Sequence, residues 1–180
     1  MSALRQPASG RREGTRGQSL AEFAIVAPIF FLLVFGVIQV GIILAAQNGL
    51  VDGVRTAARR AATYRINEES FDASVFPAIC AAVETELASR LSKRVVGYAA
   101  ANVTSSLTYE WVTNPEGDYS LVANVGVTYR NPLYVPLISF FLDGSDGSAD
   151  GVLALTASEQ MRVENPAQIP IEDPSTTHAC

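Results

Sequence analysis

The sequence of 180 residues is poor in the side chains that most catalytic and metal sites use. It has one histidine, His178, and two cysteines, Cys80 and Cys180. A Ser-His-Asp or Cys-His arrangement would therefore depend on a histidine close to the end of the chain. One histidine and two distant cysteines also cannot supply the ligands of a zinc site. We therefore predict that the protein is not an enzyme and uses no cofactor.

Two cysteines are also too few for a fold built on disulfides. Cys80 lies on an apolar helical stripe, where a buried free thiol is common. Cys180 ends a polar segment, and a disulfide between the two becomes permissible if this part of the chain is exported. The sequence favours free thiols and leaves the disulfide open.

A loop rich in Gly and Ser carries three aspartates, Asp143, Asp146 and Asp150. Carboxylates of this kind can bind calcium, but their spacing is not that of an EF-hand loop. Such loops are more often solvated turns. We expect a turn here and leave calcium binding open.

Charged residues are absent from one long apolar run, Phe23 to Leu44, whose only polar side chain is Gln39. As a helix its 22 residues span about 33 Å. The hydrocarbon core of a bilayer is roughly 30 Å thick. A buried core helix is the alternative, but such helices seldom lack a polar face. The run therefore predicts a single-pass membrane helix in contact with the lipid bilayer.

The distribution of charge predicts the orientation of that helix. Residues 1–17 form a leader rich in Gly, Ser and Arg, with four arginines against one glutamate. Such a leader favours a cytoplasmic N-terminus and a periplasmic C-terminal domain. The number of basic residues on the two sides of the run is nearly equal, however, because four arginines follow it: Arg55, Arg59, Arg60 and Arg65. Beyond residue 98 there are ten acidic and two basic residues, which argues against a nucleic-acid partner.

Helical spacing of apolar residues continues past the membrane run to about residue 65. Small residues recur there at every fourth position: Gly41, Ala45, Gly49, Gly53, Ala57 and Ala61. Such a row lets another helix approach closely. An interior glycine costs about 1 kcal/mol relative to alanine, so a local break in the helix is the alternative. We interpret the row as a helix-packing surface.

The remaining sequence predicts a second helix and a small sheet. The helix begins near Asp72 as N-cap, carries apolar residues at every fourth position from Val75 to Val95, and ends at Gly97. Strands are predicted over 103–112, 119–129 and 153–163, with a turn at 114–118. Residues 132–142 are apolar but contain Pro132 and Pro136, which predicts a covered loop.

Together these segments predict an α+β fold in four parts. Residues 1–17 are a flexible basic leader, and residues 18–65 a transmembrane helix that extends into the soluble domain. Residues 66–163 form a periplasmic α+β domain, in which an amphipathic helix packs on an antiparallel sheet of about three strands. Residues 164–180 are a flexible tail.

Glu22 is unusual because a carboxylate adjoins the apolar run. Such a charge costs free energy unless it finds a cation or a proton. Ser19 and Glu22 have the spacing of a capping box, which would satisfy backbone donors at a helix start. On this segment alone, the capping box is the simpler interpretation.

The wider spacing points to another interpretation. A basic leader, Gly17, four residues, Glu22 and then an apolar helix resemble the class III signal of type IV pilins and pseudopilins. The resemblance implies that a prepilin peptidase cuts between Gly17 and Gln18. Glu22 then becomes the fifth residue and, with Phe23, serves subunit assembly by pairing with the N-terminal amine of a neighbouring subunit.

Further motifs resemble the TadE-like pseudopilins of the tight-adherence (Flp, type IVc) pilus system. These are Glu22-Phe23, Pro28, Gly36, the segment 46–50 (AQNGL) and the segment 57–62 (AARRAA). The strong similarity covers about residues 11–65. Beyond it, only the order of a helix followed by a sheet is compatible.

The resemblance implies a minor pilin-like subunit held in the bacterial inner membrane. Its implied partners are the prepilin peptidase, other pilins or pseudopilins and the inner-membrane pilus assembly platform. The alternative is a membrane-anchored extracytoplasmic domain that binds a ligand or acts as a sensor. Such a domain would use residues 23–44 only as an anchor and would need no cut at Gly17.

Overall fold

The computed structural model describes residues 14–64, 76–113, 119–145, 147–148, 150–163 and 177–180. Its elements, in chain order, are α1 (Gly14–Ala62), α2 (Phe76–Arg94), a 3-10 turn (Ala100–Asn102), β1 (Val103–Thr113), β2 (Tyr119–Pro132), α3 (Pro136–Leu142), β3 (Val152–Arg162) and β4 (Thr177–Ala179). The predicted α+β fold is confirmed. The predicted turn at 114–118 and the N-cap Asp72 lie outside the described residues.

Helix α1 is a single element of 49 residues. Its first part exposes apolar side chains in every direction, from Leu20 to Leu44. Its second part buries Leu50 and Val54 and three alanines that are 0% exposed, Ala57, Ala58 and Ala61. The helix therefore changes surroundings along its length while its backbone stays helical.

Helix α2 is amphipathic, as its spacing predicts. Ile79, Val83, Leu87 and Leu91 are buried on one stripe. After the helix, Gly97 adopts a positive φ of 66°, a conformation that favours glycine at a helix end. A Cβ at Gly97 would also lie 2.1 Å from the hydroxyl oxygen of Tyr134, so a larger residue would displace that hydroxyl.

The three predicted strands form one antiparallel sheet in which β2 is central. β1 pairs with β2 from Val103↔Tyr129 to Thr113↔Tyr119, and β3 pairs with the other side of β2. Alternate residues face the helices, and those of β1 and β2 include Leu107, Tyr109 and Val125, all 0% exposed. The opposite face is polar, as expected for an antiparallel sheet with one solvated side.

The C-terminal end of the chain contributes a fourth strand. β4 pairs antiparallel with β1, which gives the order β3-β2-β1-β4. Cys180 follows β4 and forms a disulfide with Cys80 on α2. The expectation of free thiols was therefore wrong. Of the predicted tail, residues 164–176 lie outside the described residues, and residues 177–180 are this strand and disulfide.

The core lies where α1, α2 and the inner face of the sheet meet. α1 packs against α2 and against β2 and β3. Tyr109 of β1 donates a hydrogen bond to the carbonyl oxygen of Ala61 (3.0 Å), and its ring packs edge-on against Phe76. Burial raises the pKa of the Tyr109 phenol, so its hydroxyl stays a hydrogen-bond donor. This tyrosine joins the sheet to the ends of both helices.

The segment predicted as a covered loop, 132–142, contains a helix instead. Pro132 ends β2, and Pro136 opens α3, because a proline is tolerated in the first turn, where no intrahelical N–H bond is needed. The helix is not covered either: Phe140 is 80% exposed and Phe141 71%. The two prolines, which were expected to interrupt regular structure, therefore mark the end of a strand and the start of a helix.

Gly49 and Gly41 provide a matched test of close helix packing. A Cβ at Gly49 would lie 2.9 Å from Arg94 Cβ, whereas one at Gly41 would meet nothing within 4 Å. Both substitutions to alanine gain about 1 kcal/mol of helix propensity. Only Gly49→Ala forces two helices apart, and overpacking of this kind costs about 1–3 kcal/mol. We expect Gly49→Ala to be less stable than Gly41→Ala by that amount.

The measurement is denaturant unfolding of the full chain in detergent, followed by circular dichroism. Equal free energies of unfolding for the two variants would contradict close packing at Gly49.

Candidate assembly interface and membrane segment

The residues predicted for processing and assembly lie at the exposed start of α1. Gly17, Gln18 and Glu22 are all exposed, and Phe23 is 65% exposed. A side chain at Gly17 would meet nothing within 4 Å. The structure therefore places these residues on one accessible stretch of helix, one to two turns long.

Glu22 accepts a hydrogen bond from the side-chain amide of Gln18 over 3.0 Å. The two residues are four apart, so they share one face of the helix. The capping box would need the helix to start near Ser19, but α1 begins at Gly14. Glu22 therefore lies inside the helix, and the capping interpretation does not fit this structure.

Beyond Phe23, α1 presents an apolar surface on all sides. Exposed large side chains include Ile25 at 71%, Leu33 at 62% and Val37 at 73%. Among the described residues, one helix is long and apolar enough to cross a membrane, within Gly17–Ala62. A helix that is apolar all round belongs in a nonpolar medium, either protein core or lipid. Its exposed surface is compatible with a single-pass membrane anchor.

The row of small residues divides between two surroundings. Gly49 and Gly53 are buried against α2, where a Cβ at Gly53 would lie 2.9 Å from Leu91 Cδ1. Ala57 is also buried. Gly41 and Ala45 are exposed, and their packing against another helix stays a prediction.

Two motifs from the sequence contact the rest of the domain. Gln47, in the segment 46–50, donates a hydrogen bond from its amide to the carbonyl oxygen of Thr156 on β3 (3.2 Å). The alanines of the segment 57–62 lie in the core, while Arg59 and Arg60 are exposed. Nearby, Arg55 pairs with Glu159 at 3.9 Å and Arg94 with Asp52 at 3.5 Å. These contacts hold α1 to the sheet and to α2.

Gln39 is a structural residue that the sequence analysis noted without assigning it a role. Its side chain is 0% exposed, and its Oε1 accepts hydrogen bonds from the backbone N–H groups of Tyr134 (3.1 Å) and Val135 (3.2 Å). These groups directly precede α3. The signal was its isolation, because a lone amide in an apolar run needs a polar partner.

The aspartate loop has protein partners for two of its carboxylates. Asp143 accepts a hydrogen bond from the N–H of Gly151 (2.9 Å), and Asp150 accepts one from the N–H of Val152 (3.2 Å) and pairs with Arg130. Asp146 lies outside the described residues. Among the described residues, no group of three or more His, Cys, Asp or Glu side chains could hold a metal ion. The two described carboxylates stabilise the loop.

Comparison with known proteins gives one match. The family model described as TadE-like protein matches residues 17–59, which begin at Gly17 and cover most of α1. No curated protein and no solved structure matches the chain. The suspected resemblance is confirmed over that segment. TadE-like proteins are a pilus-associated family and not an enzyme family.

Gln39 allows a direct test of the link between α1 and α3. Gln39→Leu keeps the helix apolar but leaves two partly buried N–H groups without this acceptor. An unsatisfied buried donor costs about 1–3 kcal/mol. We expect lower stability in denaturant and faster proteolysis within 133–142, detected by mass spectrometry of the fragments.

The control is Gln18→Leu, at an exposed glutamine of the same helix. Protease resistance of 133–142 that is equal in both variants would show that Gln39 does not hold this segment.

Proposed function

Taking the chain as a protein associated with the tight-adherence pilus, with a TadE-like N-terminal helix, we propose that it is a minor pilin-like (pseudopilin) subunit for assembly of these pili. The match over residues 17–59 carries the proposal. In this role the protein is a structural subunit, held in the inner membrane by α1. Other pilins or pseudopilins and the inner-membrane assembly platform are its partners.

The first step in this proposal is cleavage by a prepilin peptidase between Gly17 and Gln18. Exposure of both residues supports it. A peptidase must bind the backbone away from its helical hydrogen bonds, and Gly17 weakens the helix there by about 1 kcal/mol relative to alanine. The cut removes the basic leader and leaves the apolar part of α1 attached.

The second step is assembly through Glu22. After cleavage the new amine lies on Gln18, and Glu22 is one helical turn away. Glu22 is exposed and is followed directly by the exposed ring of Phe23, so both can reach another subunit. In a medium of low dielectric constant, a carboxylate and a neighbour's amine attract more strongly than at a protein surface. The pair would also remove the cost of a lone charge beside the bilayer core.

The orientation in this proposal places the leader in the cytoplasm and the α+β domain in the periplasm. The disulfide between Cys80 and Cys180 supports it, because disulfides persist in the periplasm and are rare in the cytosol. The basic leader and the acidic C-terminal domain point the same way.

A membrane-anchored ligand-binding domain is the second candidate. A cavity of about 360 Å³ lies between α2 and β1 and is lined by Leu87, Tyr98 and Val103, among others. This volume is within the range of small-molecule pockets, roughly 300–1,000 Å³. Such a domain needs no cleavage, so identifying the N-terminal residue of the mature protein distinguishes the two candidate functions.

Processing predicts that the mature protein begins at Gln18. Mass spectrometry of the protein extracted from membranes should find this N-terminus. Gly17→Leu should leave the full precursor, because a bulky residue would not fit where the peptidase accepts glycine. Gly41→Leu is the control and should still be cut. An intact leader in cells with an active prepilin peptidase would overturn the proposed processing.

The proposed role of Glu22 in assembly predicts that Glu22→Gln strongly reduces pilus formation. The substitution removes the negative charge and leaves the neighbour's buried amine unpaired, which typically costs about 3–5 kcal/mol. A charge that acts only on the helix dipole would be worth about 0.3–1 kcal/mol. We expect loss of surface pili and of subunit crosslinks, with normal cleavage and abundance of the subunit.

The matched control is Glu84→Gln, at an exposed glutamate of α2 that lies far along the chain from the membrane helix. Normal piliation in the Glu22→Gln strain would rule out the proposed pairing.

A further inference from the structure

Outside α1, exposed large apolar side chains gather at one place. The described residues beyond α1 include five of them: Val96, Val112, Tyr134, Phe140 and Phe141. Val112 belongs to β1. Val96 lies just after α2, and the other three lie on α3 or just before it. The hydroxyl of Tyr134 joins the two segments by donating to the carbonyl oxygen of Val96 (2.8 Å). We call Val96, Tyr134, Phe140 and Phe141 the membrane-end patch.

The patch adjoins the apolar half of α1. Gln39 binds the backbone that enters α3, and a Cβ at Gly36 would lie 3.5 Å from Ile138 Cδ1. Both positions are inside the charge-free run 23–44. The exposed apolar surface of α1 therefore continues onto α3 without a charged residue between them.

The position of these contacts along α1 sets a depth. Leu44 is the last exposed large side chain of the apolar run. The rise from Gln39 to Leu44 is about 8 Å, and from Gly36 it is about 12 Å. Amphipathic segments that lie in a membrane surface bury their apolar face about 5–10 Å deep. With the bilayer surface at Leu44, the contact at Gln39 lies within this range and the contact at Gly36 about 2 Å below it.

Several bonds hold α3 in this place. The N–H of Leu133 donates to the carbonyl oxygen of Gly151 (3.1 Å), and Gln39 binds the next two N–H groups. At the other end, Asp143 accepts a hydrogen bond from the N–H of Gly151. The helix is therefore fixed at both ends to Gly151, which directly precedes β3, and at its start also to α1, and the two phenylalanines are held outward.

We propose that α3 is a second membrane contact, whose Phe140 and Phe141 insert among the acyl chains of the outer interface of the bilayer. Continuity with the surface of α1 and the absence of charge from Pro136 to Leu142 favour lipid as the occupant. Tyr134 is placed at the headgroup level, where amphipathic rings are enriched. The inference rests on the proposed insertion of α1 in the membrane. It adds that the α+β domain is fixed in height and rotation above the bilayer.

Fluorescence quenching by brominated lipids tests this depth in the full chain. Trp111 is the single tryptophan, so a Trp111→Phe background allows one reporter at a time. The reporters are Phe140→Trp, Leu33→Trp at the middle of the apolar run and Ser158→Trp on the polar face of β3. The protein is placed at low density in phosphatidylcholine vesicles that carry bromine near the headgroup end or near the methyl end of the acyl chains.

We expect the Phe140→Trp emission to lose intensity mainly with bromine near the headgroup end. Leu33→Trp should respond most to bromine near the methyl end, and Ser158→Trp to neither. Circular dichroism of each variant confirms that it is folded. The inference would be overturned if bromine quenched Phe140→Trp no more than Ser158→Trp while it did quench Leu33→Trp. That result would leave the membrane anchor intact.

Two further outcomes are informative. An unquenched Leu33→Trp would instead overturn the membrane insertion of α1, on which the inference depends. Phe140→Trp emission that bromine does not quench at low density, and that is shielded from water only when the protein is crowded in the vesicle, would show that another copy of the chain, and not lipid, covers α3. That result would also overturn the inference.

Discussion

The close approach of α1 to α2 at Gly49 and Gly53 sets the geometry of the whole protein. Without side chains at these positions, the two helices come near enough for Leu91 and Arg94 to contact the backbone of α1. The buried alanines continue this surface towards Tyr109, whose hydroxyl binds the carbonyl oxygen of Ala61. The sheet then covers the helix pair. The core is therefore assembled around the continuation of the same helix that carries the apolar run.

This arrangement explains why one helix can serve two media. The first half of α1 has large side chains on all sides, which suits a nonpolar environment without a preferred direction. The second half has small side chains, which suit tight packing against protein. No break separates the halves between Gly14 and Ala62. A change in side-chain size alone, with the backbone unchanged, makes the transition from one medium to the other.

Elements with a long, regular pattern could be predicted from the sequence. The apolar run, the four-residue stripe of α2 and the strand-like segments that became β1, β2 and β3 each extend over about ten residues or more, so an error at a single position changes little. Gly97 was also predictable, because few residues other than glycine adopt a positive φ after a helix. The TadE-like motifs lie in the same region, since they are part of the long helix.

Short elements and long-range pairs could not be predicted in this way. α3 has seven residues, too few for a period, and its Pro136, together with Pro132 before it, predicted a loop. β4 has three residues, and its pairing with β1 depends on contacts about 70 positions apart in sequence. For the disulfide, the sequence showed two cysteines but not their proximity. The role of Gln39 likewise depends on the backbone of Tyr134, just before α3 and 95 residues away in the chain.

The disulfide between Cys80 and Cys180 has a consequence for the time course of biosynthesis. Cys80 precedes all four strands, and Cys180 follows β4, 100 residues later. Because synthesis runs from the N-terminus to the C-terminus, Cys80 is made before the sheet and its partner after it. During that interval the thiol is available to other cysteines, and the edge of β1 lacks its β4 neighbour. Completion of the sheet therefore waits for the synthesis of residues 177–180.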